Sequence, residues 1–324
     1  MTHSLAEIGQ NIELAKQFLD AGNAVAIPTE TVYGLAANAL DPKAVTQIFE
    51  IKNRPSFDPL IVHSSSISEA EKYVTRISDR IYQLAEKFSP GPITFILPKK
   101  DIIPDLVTSG HPTVGIRIPN HPLTLELLRR LDFPLAAPSA NPFGFTSPTK
   151  AEHVNEQLGD KLPYILDGGA CQVGVESTIV EDTENGLKVL RFGGLSIEEI
   201  ESTIGENIHT VQTSSSNPSA PGMLISHYNP GKKVILGNLD ELIQENSSKK
   251  LGVLSFQQKY SDSVIIENTV LSPTGDLNEA ARNIFQALRS FQKLDVDIVL
   301  AEEVPNTGIG RAINDRLKRA AAKG

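Results

Sequence analysis

The stretch KNRPSFDPLIVH, residues 52–63, brings two cations, two prolines and a short apolar run together between a predicted helix and a predicted strand. Upstream, Asp41 and Pro42 predict the helix start, because aspartate caps an N-terminus well and proline suits the first helical position. Lys52 and Arg54 then lie at the C-terminal end of that helix. Cations there can be solvated charges that complement the helix dipole, or they can form an anion-binding loop.

Two further loops repeat this arrangement of an apolar strand beside polar side chains. Residues 60–62 predict a strand that ends at His63, and strand ends are where α/β folds bind ligands. PLAAPSANPFGFTSPT, residues 134–149, is an apolar strand followed by hydroxyl and amide side chains. DGGACQVGVESTIVE, residues 167–181, places two glycine-rich turns before a strand. Each loop alone is typical of an ordinary turn, and the three together favour a ligand site.

Length and composition favour a cytoplasmic protein of two domains. A chain of 324 residues exceeds what one hydrophobic core usually supports. The single cysteine excludes an intramolecular disulfide, and with the scattered histidines it gives no zinc-binding spacing. No apolar run reaches the roughly 18 residues that a membrane-spanning helix needs. The net charge of −9 argues against broad electrostatic adhesion to nucleic acid.

Changes in composition predict three segments. We expect an α/β domain over residues 1–206, a linker over residues 207–231 and a smaller α/β domain over residues 232–324. Serine, proline and glycine dominate the first half of the linker. Its second half carries apolar and aromatic residues, including Tyr228, which favours a linker that docks on a surface.

Apolar runs in the first segment predict its strands. They lie at residues 24–27, 60–62, 93–97, 114–118, 135–137, 164–166, 177–180 and 188–191. About eight strands with helices between some of them indicate a mixed, twisted sheet. Ahead of them, Ser4 and Glu7 form a capping-box pattern that predicts a helix along residues 8–19.

The last segment alternates strands with helices, which predicts a small Rossmann-like α/β layer. The predicted strands lie at residues 233–237, 251–256, 263–268 and 296–301, and the predicted helices at residues 238–246, 276–292 and 310–322. The basic tail is most simply a solvated helix end, with contact to RNA left open. Its cations are Arg316, Lys318, Arg319 and Lys323.

Six motifs in fixed order resemble the YrdC-like threonylcarbamoyl-AMP synthase family. They are PTETVYGLA (28–36), KNRPSFDPLIVH (52–63), PGPITFIL (90–97), GIRIPNHP (115–122), APSANPFGFTSPT (137–149) and GVESTIV (174–180). Within them, Lys52-x-Arg54 and Ser139-x-Asn141 are similar to the family's KxR and SxN signature. Farther along, APGMLISHYNP (220–230) and GIGRAINDRLKRAA (308–321) resemble the longer, two-domain form of the enzyme.

This resemblance implies a fold and an activity. The fold is an open YrdC-like sheet whose concave face holds the substrates, followed by a Rossmann-like domain. The activity is that of a nucleotidyltransferase, which makes L-threonylcarbamoyladenylate and pyrophosphate from L-threonine, bicarbonate or carbon dioxide, and ATP. The product would pass to a threonylcarbamoyl-transferase complex that forms N6-threonylcarbamoyladenosine in tRNA, and direct binding of tRNA stays open. Mg²⁺ is expected on the ATP phosphates, without ligands from protein side chains.

The resemblance also implies which residues act. Because the reactants are anionic, fixed cations must bring them together, and Lys52 is expected to stabilise charge around the carbamate and α-phosphate. The residues expected in catalysis are Lys52, Arg54, Ser139 and Asn141. The residues expected to bind ATP are Arg54, Asp58, Thr113, Ser139, Ser147, Arg191 and Tyr228. The residues expected to bind threonine are Thr31, His63, Arg117, Ala137 and Ser177.

Several alternatives remain at this stage. Tyr228 can contact the nucleotide from a lid, or it can anchor the junction between the domains. Glu30 is predicted to shape the loop beside Thr31. The whole chain can instead be a non-catalytic protein that binds double-stranded RNA or tRNA, or one that acts in ribosome maturation. A carbamoyltransferase that resembles hydrogenase-maturation enzymes is less favoured, because the cysteine-rich zinc modules and acylphosphatase-like segment of those enzymes are absent from this sequence.

Overall fold

The computed structural model describes residues 5–210 and 228–322, which form two units, each built on its own sheet. The strands of the first unit are β1 (Glu7–Gly9), β2 (Val25–Ile27), β3 (Gly34–Asn38), β4 (Ile61–His63), β5 (Ile93–Pro98), β6 (Thr113–Arg117), β7 (Leu135–Ala136), β8 (Tyr164–Leu166), β9 (Thr178–Thr183), β10 (Gly186–Arg191) and β11 (His209–Thr210). Its helices are α1 (Ile12–Asp20), α2 (Pro42–Lys52), α3 (Ile67–Ala70), α4 (Asp79–Phe88), α5 (Asp105–Thr108), α6 (Pro122–Arg130), α7 (Ala151–Leu158) and α8 (Ile197–Ile204).

The second unit is smaller and has fewer elements. Its strands are β12 (Lys233–Leu236), β13 (Leu251–Ser255), β14 (Ile265–Val270) and β15 (Ile298–Ala301). Its helices are α9 (Leu239–Glu245), α10 (Leu277–Ser290) and α11 (Gly310–Ala321). The predicted linker lies mostly in residues 211–227, which are outside the described residues, so the predicted segment bounds 1–206, 207–231 and 232–324 stay a prediction.

The strands described in the first unit form one mixed sheet in the order β1-β8-β2-β3-β7-β4-β6-β5-β9-β10-β11. This confirms the predicted open mixed sheet. The parallel pair β4 and β6 places His63 directly opposite Arg117, at the ends of two neighbouring strands. Helix α2 begins as predicted, with Asp41 accepting a 2.9 Å hydrogen bond from the Lys43 amide.

All the strands predicted in the first segment are present, with bounds shifted by a few residues. The sequence prediction missed β1, β3 and β11. β3 has the sequence GLAAN, which combines low β-propensity with a glycine and an asparagine, so only its neighbours β2 and β7 make it a strand. The other two missed strands are short pieces at the two edges of the sheet.

The N-terminal helix prediction was wrong about where the helix begins. Glu7 lies in β1, paired in parallel with Tyr164 of β8, and α1 begins only at Ile12. Asn11 is the N-cap, accepting a 3.1 Å hydrogen bond from the Leu14 amide. The sheet edge gives the Glu7 backbone a partner that a local capping pattern cannot reveal, and Ser4 lies outside the described residues.

The second unit confirms the predicted α/β layer. Its strands are parallel in the order β12-β15-β13-β14. Because side chains alternate along a strand, Leu251 and Val253 of β13 pack with α9, whereas Leu254 packs with α10 and α11 on the opposite face. Helices therefore cover both faces of this sheet.

The apolar core between β13, α10 and α11 continues into the first unit. Val32 and Val175 of the first unit, together with Tyr228, belong to the same buried cluster as the residues of these helices. Gly174 has a φ of +83°, and a Cβ added there would lie 2.4 Å from the Ala281 carbonyl oxygen of α10. The two units thus pack closely at this point, and a side chain on Gly174 would separate them.

Candidate functional site

A cavity lies where the strand ends of the first unit meet the second unit. Its lining residues combine cations with small and apolar side chains. They are Thr29, Val32, Gly34, Arg54, Ile61, His63, Arg117, Ala137, Pro138, Ser139, Glu176, Arg191 and Tyr228. Three guanidinium groups that are far apart in sequence therefore face one common space.

Arg117 ends β6 and is held by the loop that follows β2. Its Nη2 donates a 2.8 Å hydrogen bond to Oγ1 of Thr31 and lies 2.9 Å from Oε1 of Glu30. The other carboxylate oxygen of Glu30 accepts a 3.0 Å hydrogen bond from the Asn120 amide. Glu30 is therefore more than the loop-shaping residue we predicted, since it is the buried counter-charge of a cavity arginine.

Arg54 is fixed by the loop that contains it. Its Nε donates to the Asp58 carbonyl at 3.1 Å, its Nη2 donates to the Pro59 carbonyl at 2.8 Å, and Nη2 lies 2.9 Å from Oδ2 of Asp58. Both side chains are buried, so the interpretation of Arg54 as a solvated helix-end charge is wrong. Burial raises the pKa of Asp58, whereas Arg54 lowers it. Asp58 thus pairs with Arg54 and fixes its position, and the predicted role of Asp58 in ATP binding stays a prediction.

Arg191 is the third cavity arginine and lies at the end of β10. Its Nε and Nη2 donate to the Ser177 carbonyl at 3.1 and 3.0 Å, and Nη2 also donates to Oγ of Ser177 at 3.1 Å. The hydroxyls of Ser177 and Thr94 lie 2.7 Å apart. Ser177 therefore orients Arg191, although Ser177 itself does not line the cavity. Its expected role in binding threonine stays a prediction.

Lys52 lies behind the cavity wall and is not a lining residue. Its Nζ donates hydrogen bonds of 2.5 Å to the carbonyls of Ser139 and Asn141, and the side chain is buried. Burial, with help from Arg54, lowers the pKa of Lys52 well below its usual value. Lys52 therefore links helix α2 to the SxN loop, and its expected role in stabilising charge around the carbamate and α-phosphate stays a prediction.

The SxN loop is fixed by its own side chains as well. Nδ2 of Asn141 donates to the Pro142 and Phe145 carbonyls at 2.9 and 2.8 Å. Ser139 and Ala137 line the cavity, and the Ala137 amide donates to the Ile61 carbonyl at 2.9 Å. Asn141 therefore shapes the loop, and Ser139 is the member of the pair that lines the cavity.

Glu176 is a cavity residue that the sequence analysis did not select. Its Oε1 accepts a 2.6 Å hydrogen bond from Oγ of Ser147, and its Oε2 accepts one of 3.0 Å from Nε of Arg316. Burial by itself raises the pKa of Glu176, but Arg316, Arg191 and Ser147 bring it down to about 2. The only available signal was an acidic residue within the motif GVESTIV.

The basic tail is not the solvated helix end that we predicted. Arg316 and Arg319 are buried, and Nε of Arg319 lies 2.9 Å from Asp315. Lys318 is exposed and lies 2.7 Å from Glu303, while Lys323 is outside the described residues. The prediction failed because α11 belongs to the buried cluster that joins the two units, so most of its side chains, including Arg316 and Arg319, are buried.

Tyr228 lines the cavity from the C-terminal end of the predicted lid. Its φ is +64°, a left-handed conformation that side-chain-bearing residues rarely adopt. Packing holds it there, since its ring lies 5.2 Å from the Phe285 ring and the guanidinium carbon of Arg316 lies 5.4 Å from its ring centroid. Burial raises the pKa of the Tyr228 hydroxyl. Tyr228 thus belongs to the cavity and to the domain junction together.

One predicted residue lies away from the cavity. Thr113 begins β6, whereas Arg117 ends it, and adjacent residues of a strand advance about 3.3 Å each. Thr113 is half-buried and is not among the lining residues. A nucleotide that reached Thr113 would have to extend beyond this cavity along β6.

His63 is buried against Arg117 and is neutral near pH 7. Burial, and to a smaller extent the charge of Arg117, lowers its pKa from 6.5 to about 3. Below pH 6.5, His63 is therefore protonated in the unfolded chain but stays neutral in the folded protein until the pH approaches 3. The contribution to stability is complete above pH 6.5 and is lost as the pH falls toward 3.

We expect His63→Asn to flatten the acid dependence of the free energy of unfolding. Between pH 6 and 4 the wild-type free energy should fall more steeply than that of the variant, by up to about 1.4 kcal/mol per pH unit. Denaturant titrations at several pH values measure this difference. His209→Asn, at an exposed histidine, is the matched control and should keep the wild-type slope. An unchanged slope in His63→Asn would show that His63 accepts a proton in the folded protein.

The geometry defines an α/β protein of two sheets with an arginine-rich cavity suited to small anions. Residues 17–193 match the Sua5/YciO/YrdC family model, described as "Telomere recombination", and residues 195–322 match the model "Threonylcarbamoyl-AMP synthase, C-terminal domain". The chain belongs to the threonylcarbamoyl-AMP synthase family, in its longer two-domain form.

Individual relatives resemble the chain along nearly its whole length. Threonylcarbamoyl-AMP synthase of Pyrococcus abyssi is 42% identical and covers 96% of this chain and 94% of that protein. Threonylcarbamoyl-AMP synthase of Bacillus subtilis is 40% identical and covers 99% and 96%, respectively. A crystal structure of P. abyssi Sua5 complexed with L-threonine has a TM-score of 0.91 at 40% identity, covering 98% of this chain and 97% of that chain.

In residues 5–210 and 228–322, no helix is long and apolar enough to cross a membrane.

Proposed function

We propose that this protein condenses L-threonine, bicarbonate or carbon dioxide, and ATP into L-threonylcarbamoyladenylate, with release of pyrophosphate. The observation that carries the proposal is the meeting of Arg54, Arg117 and Arg191 at one buried cavity. Relatives that share at least 40% identity over almost the entire chain bear the name of this synthase. No feature of the described residues favours the RNA-binding alternative.

The threonine side of the cavity is proposed around Arg117. A guanidinium binds a carboxylate through paired hydrogen bonds, and Thr31 and His63 lie beside this one. Because His63 is neutral, it adds a polar contact without adding charge. The solved structure of P. abyssi Sua5 complexed with L-threonine supports threonine as the substrate.

The ATP side is proposed around Arg54 and Arg191, with Ser139 and Tyr228 on the same wall. The threonine amine adds to the carbon of carbon dioxide, one C=O π bond opens, and one amine proton passes to solvent, which gives a carbamate; starting from bicarbonate, the same carbamate forms with loss of water. A carbamate oxygen then attacks the α-phosphorus, and the bond to the leaving pyrophosphate breaks. No residue becomes covalently attached, so the protein contributes by positioning the reactants and offsetting their charge.

We propose that magnesium binds together with ATP, on its phosphates. The described residues contain no group of three His, Cys, Asp or Glu side chains that could hold a metal ion. The buried carboxylates at the cavity are each beside an arginine. A magnesium ion would therefore be held by phosphate oxygens and water, where it would offset charge on the triphosphate.

The product fits a role in tRNA modification. A threonylcarbamoyl adenylate is an activated acyl donor, and a separate transferase acting on tRNA would consume it to form N6-threonylcarbamoyladenosine. We propose that both steps occur in the cytoplasm, where ATP and tRNA are found.

The purified protein should release pyrophosphate and form threonylcarbamoyladenylate only when threonine, bicarbonate and MgATP are all supplied. Coupled pyrophosphate detection and mass spectrometry of the adenylate measure the two products. Serine and valine are informative controls, because one lacks the methyl group of threonine and the other lacks its hydroxyl. Pyrophosphate release that does not depend on threonine would refute the substrate assignment.

A further inference from the structure

A guanidinium of the second unit lies behind the cavity wall, where it contacts the lining residues Glu176 and Tyr228. Arg316 lies on α11 and is fully buried. Its Nε donates a 3.0 Å hydrogen bond to Oε2 of Glu176, and its Nη2 lies 3.0 Å from the same oxygen. The two residues are 140 positions apart in sequence, so this ion pair forms only when the two units pack together.

The same side chain also contacts the backbone next to Arg191 and the ring of Tyr228. Its Nη1 donates a 2.8 Å hydrogen bond to the carbonyl of Phe192, the residue that follows Arg191. Its guanidinium carbon lies 5.4 Å from the ring centroid of Tyr228, within cation–π distance. Asp315 accepts a further 2.8 Å hydrogen bond from Nη1 and offsets part of the charge. One residue of α11 thus contacts two lining residues, Glu176 and Tyr228, and the backbone that follows a third, Arg191.

A second arginine of the same unit supports the partner of Glu176. Nη2 of Arg289, on α10, donates a 2.8 Å hydrogen bond to the carbonyl of Thr146. Ser147 follows directly, and its hydroxyl donates to the other oxygen of Glu176. The pair formed by Ser147 and Glu176 is therefore held by the second unit from both sides.

The charge of Glu176 makes this support necessary. A carboxylate in the lining of an anion-binding cavity repels the phosphates that must bind there. Arg191 alone would have to serve both the carboxylate and the substrate. With Arg316 paired to Glu176, the negative charge that a triphosphate would meet at this part of the wall is offset.

We propose that Arg316 is a positioning residue for ATP: it offsets the Glu176 charge and holds Glu176 and Tyr228 in place, so the C-terminal domain completes the nucleotide side of the cavity. This inference rests on the proposed synthase activity. It assigns the C-terminal domain a part in substrate binding in addition to its structural packing.

Arg316→Ala should raise the KM for ATP by at least about tenfold while changing the KM for threonine much less. The reason is that an uncompensated carboxylate would then face the triphosphate. The double variant Glu176→Gln/Arg316→Ala removes that charge and should recover most of the ATP affinity. A purely structural role would affect both substrates alike, whereas the role proposed here changes the KM for ATP and leaves the KM for threonine near its wild-type value in both variants.

Arg311→Ala is the matched control. Arg311 lies on the same helix and forms an ion pair across the same junction, with Glu198 on α8, but this pair is partly exposed and away from the cavity. The KM for ATP should stay at the wild-type value. Circular dichroism and thermal unfolding of all variants identify any loss of fold.

The outcomes separate this inference from the proposed function. A wild-type protein that forms no adenylate overturns both. Adenylate formation by the wild type together with an unchanged KM for ATP in Arg316→Ala overturns the role of Arg316 alone, as does a double variant no better than the single one. Should Arg316→Ala fail to fold, Arg316→Lys carries the test, because lysine keeps the charge but not the planar set of donors. Its KM for ATP should rise several-fold, and a wild-type KM overturns the proposal.

Discussion

Replacing Arg54 by alanine is expected to lower kcat/KM for ATP by roughly 10²- to 10³-fold, the loss typical of one preorganised electrostatic group. Arg54 faces the cavity with its geometry fixed by the Asp58 and Pro59 carbonyls, so it costs little reorganisation when the triphosphate binds. Its removal also leaves the Asp58 carboxylate buried without its cation. Steady-state kinetics with varied ATP, at saturating threonine and bicarbonate, measure the effect.

Two companion variants separate catalysis from stability. Arg54→Ala/Asp58→Asn removes the uncompensated charge, so it should regain stability in denaturant titrations while activity stays low. Arg80→Ala removes an arginine that pairs at the surface with Asp182 and Glu206, and it should leave kcat/KM unchanged. Recovery of activity in the double variant would mean that Arg54 serves only to balance Asp58.

Arg117→Ala is expected to weaken threonine binding most strongly, with a loss in kcat/KM for threonine of about 10²-fold or more. The guanidinium lies between Glu30 and Thr31 at the end of β6, where a substrate carboxylate can accept hydrogen bonds from it. The KM for ATP should change little, because Arg54 and Arg191 remain. Kinetics with threonine and ATP varied in turn measure the two effects separately.

The controls for this prediction account for Glu30, a buried carboxylate that loses its cation when Arg117 is replaced. Arg117→Ala/Glu30→Gln should fold more stably than Arg117→Ala without regaining threonine affinity. Arg130→Ala, at a half-exposed arginine paired with Glu126 on α6, should behave like the wild type. Loss of ATP affinity alone in Arg117→Ala would place the nucleotide, and not threonine, at this end of the cavity.

The two arginine predictions share a physical cause. Arg54 and Arg117 each lie 2.9 Å from a buried carboxylate, and Arg316 lies 3.0 Å from another. Breaking such a pair usually costs more than the pair itself contributes, because a buried charge is left alone. Single alanine variants therefore combine lost substrate contacts with lost stability, and only charge-balanced double variants separate the two.

Local sequence patterns were enough to predict many of the helices and strands. Asp41 and Pro42 determine the start of α2 through backbone capping, and short apolar runs between helices indicate the strands of the second unit. The order of motifs also identified the family and the arginines of the cavity. These features depend on interactions between residues close in sequence or on residue type alone, which is why they could be predicted.

Tertiary structure decided which charged groups are buried and which partners they have. Lys52 could have been a solvated charge or a catalytic one, and the folded chain places it on the carbonyls of the SxN loop. Glu176 and Arg316 had no predicted connection, yet they form a buried ion pair across the two units. Burial and pairing depend on contacts between distant segments, and those contacts set whether a charge is stabilised, neutralised or available to a substrate. Residue type and local spacing do not determine whether a charged group is buried or paired, because they fix neither the neighbours of a side chain nor its exposure to water.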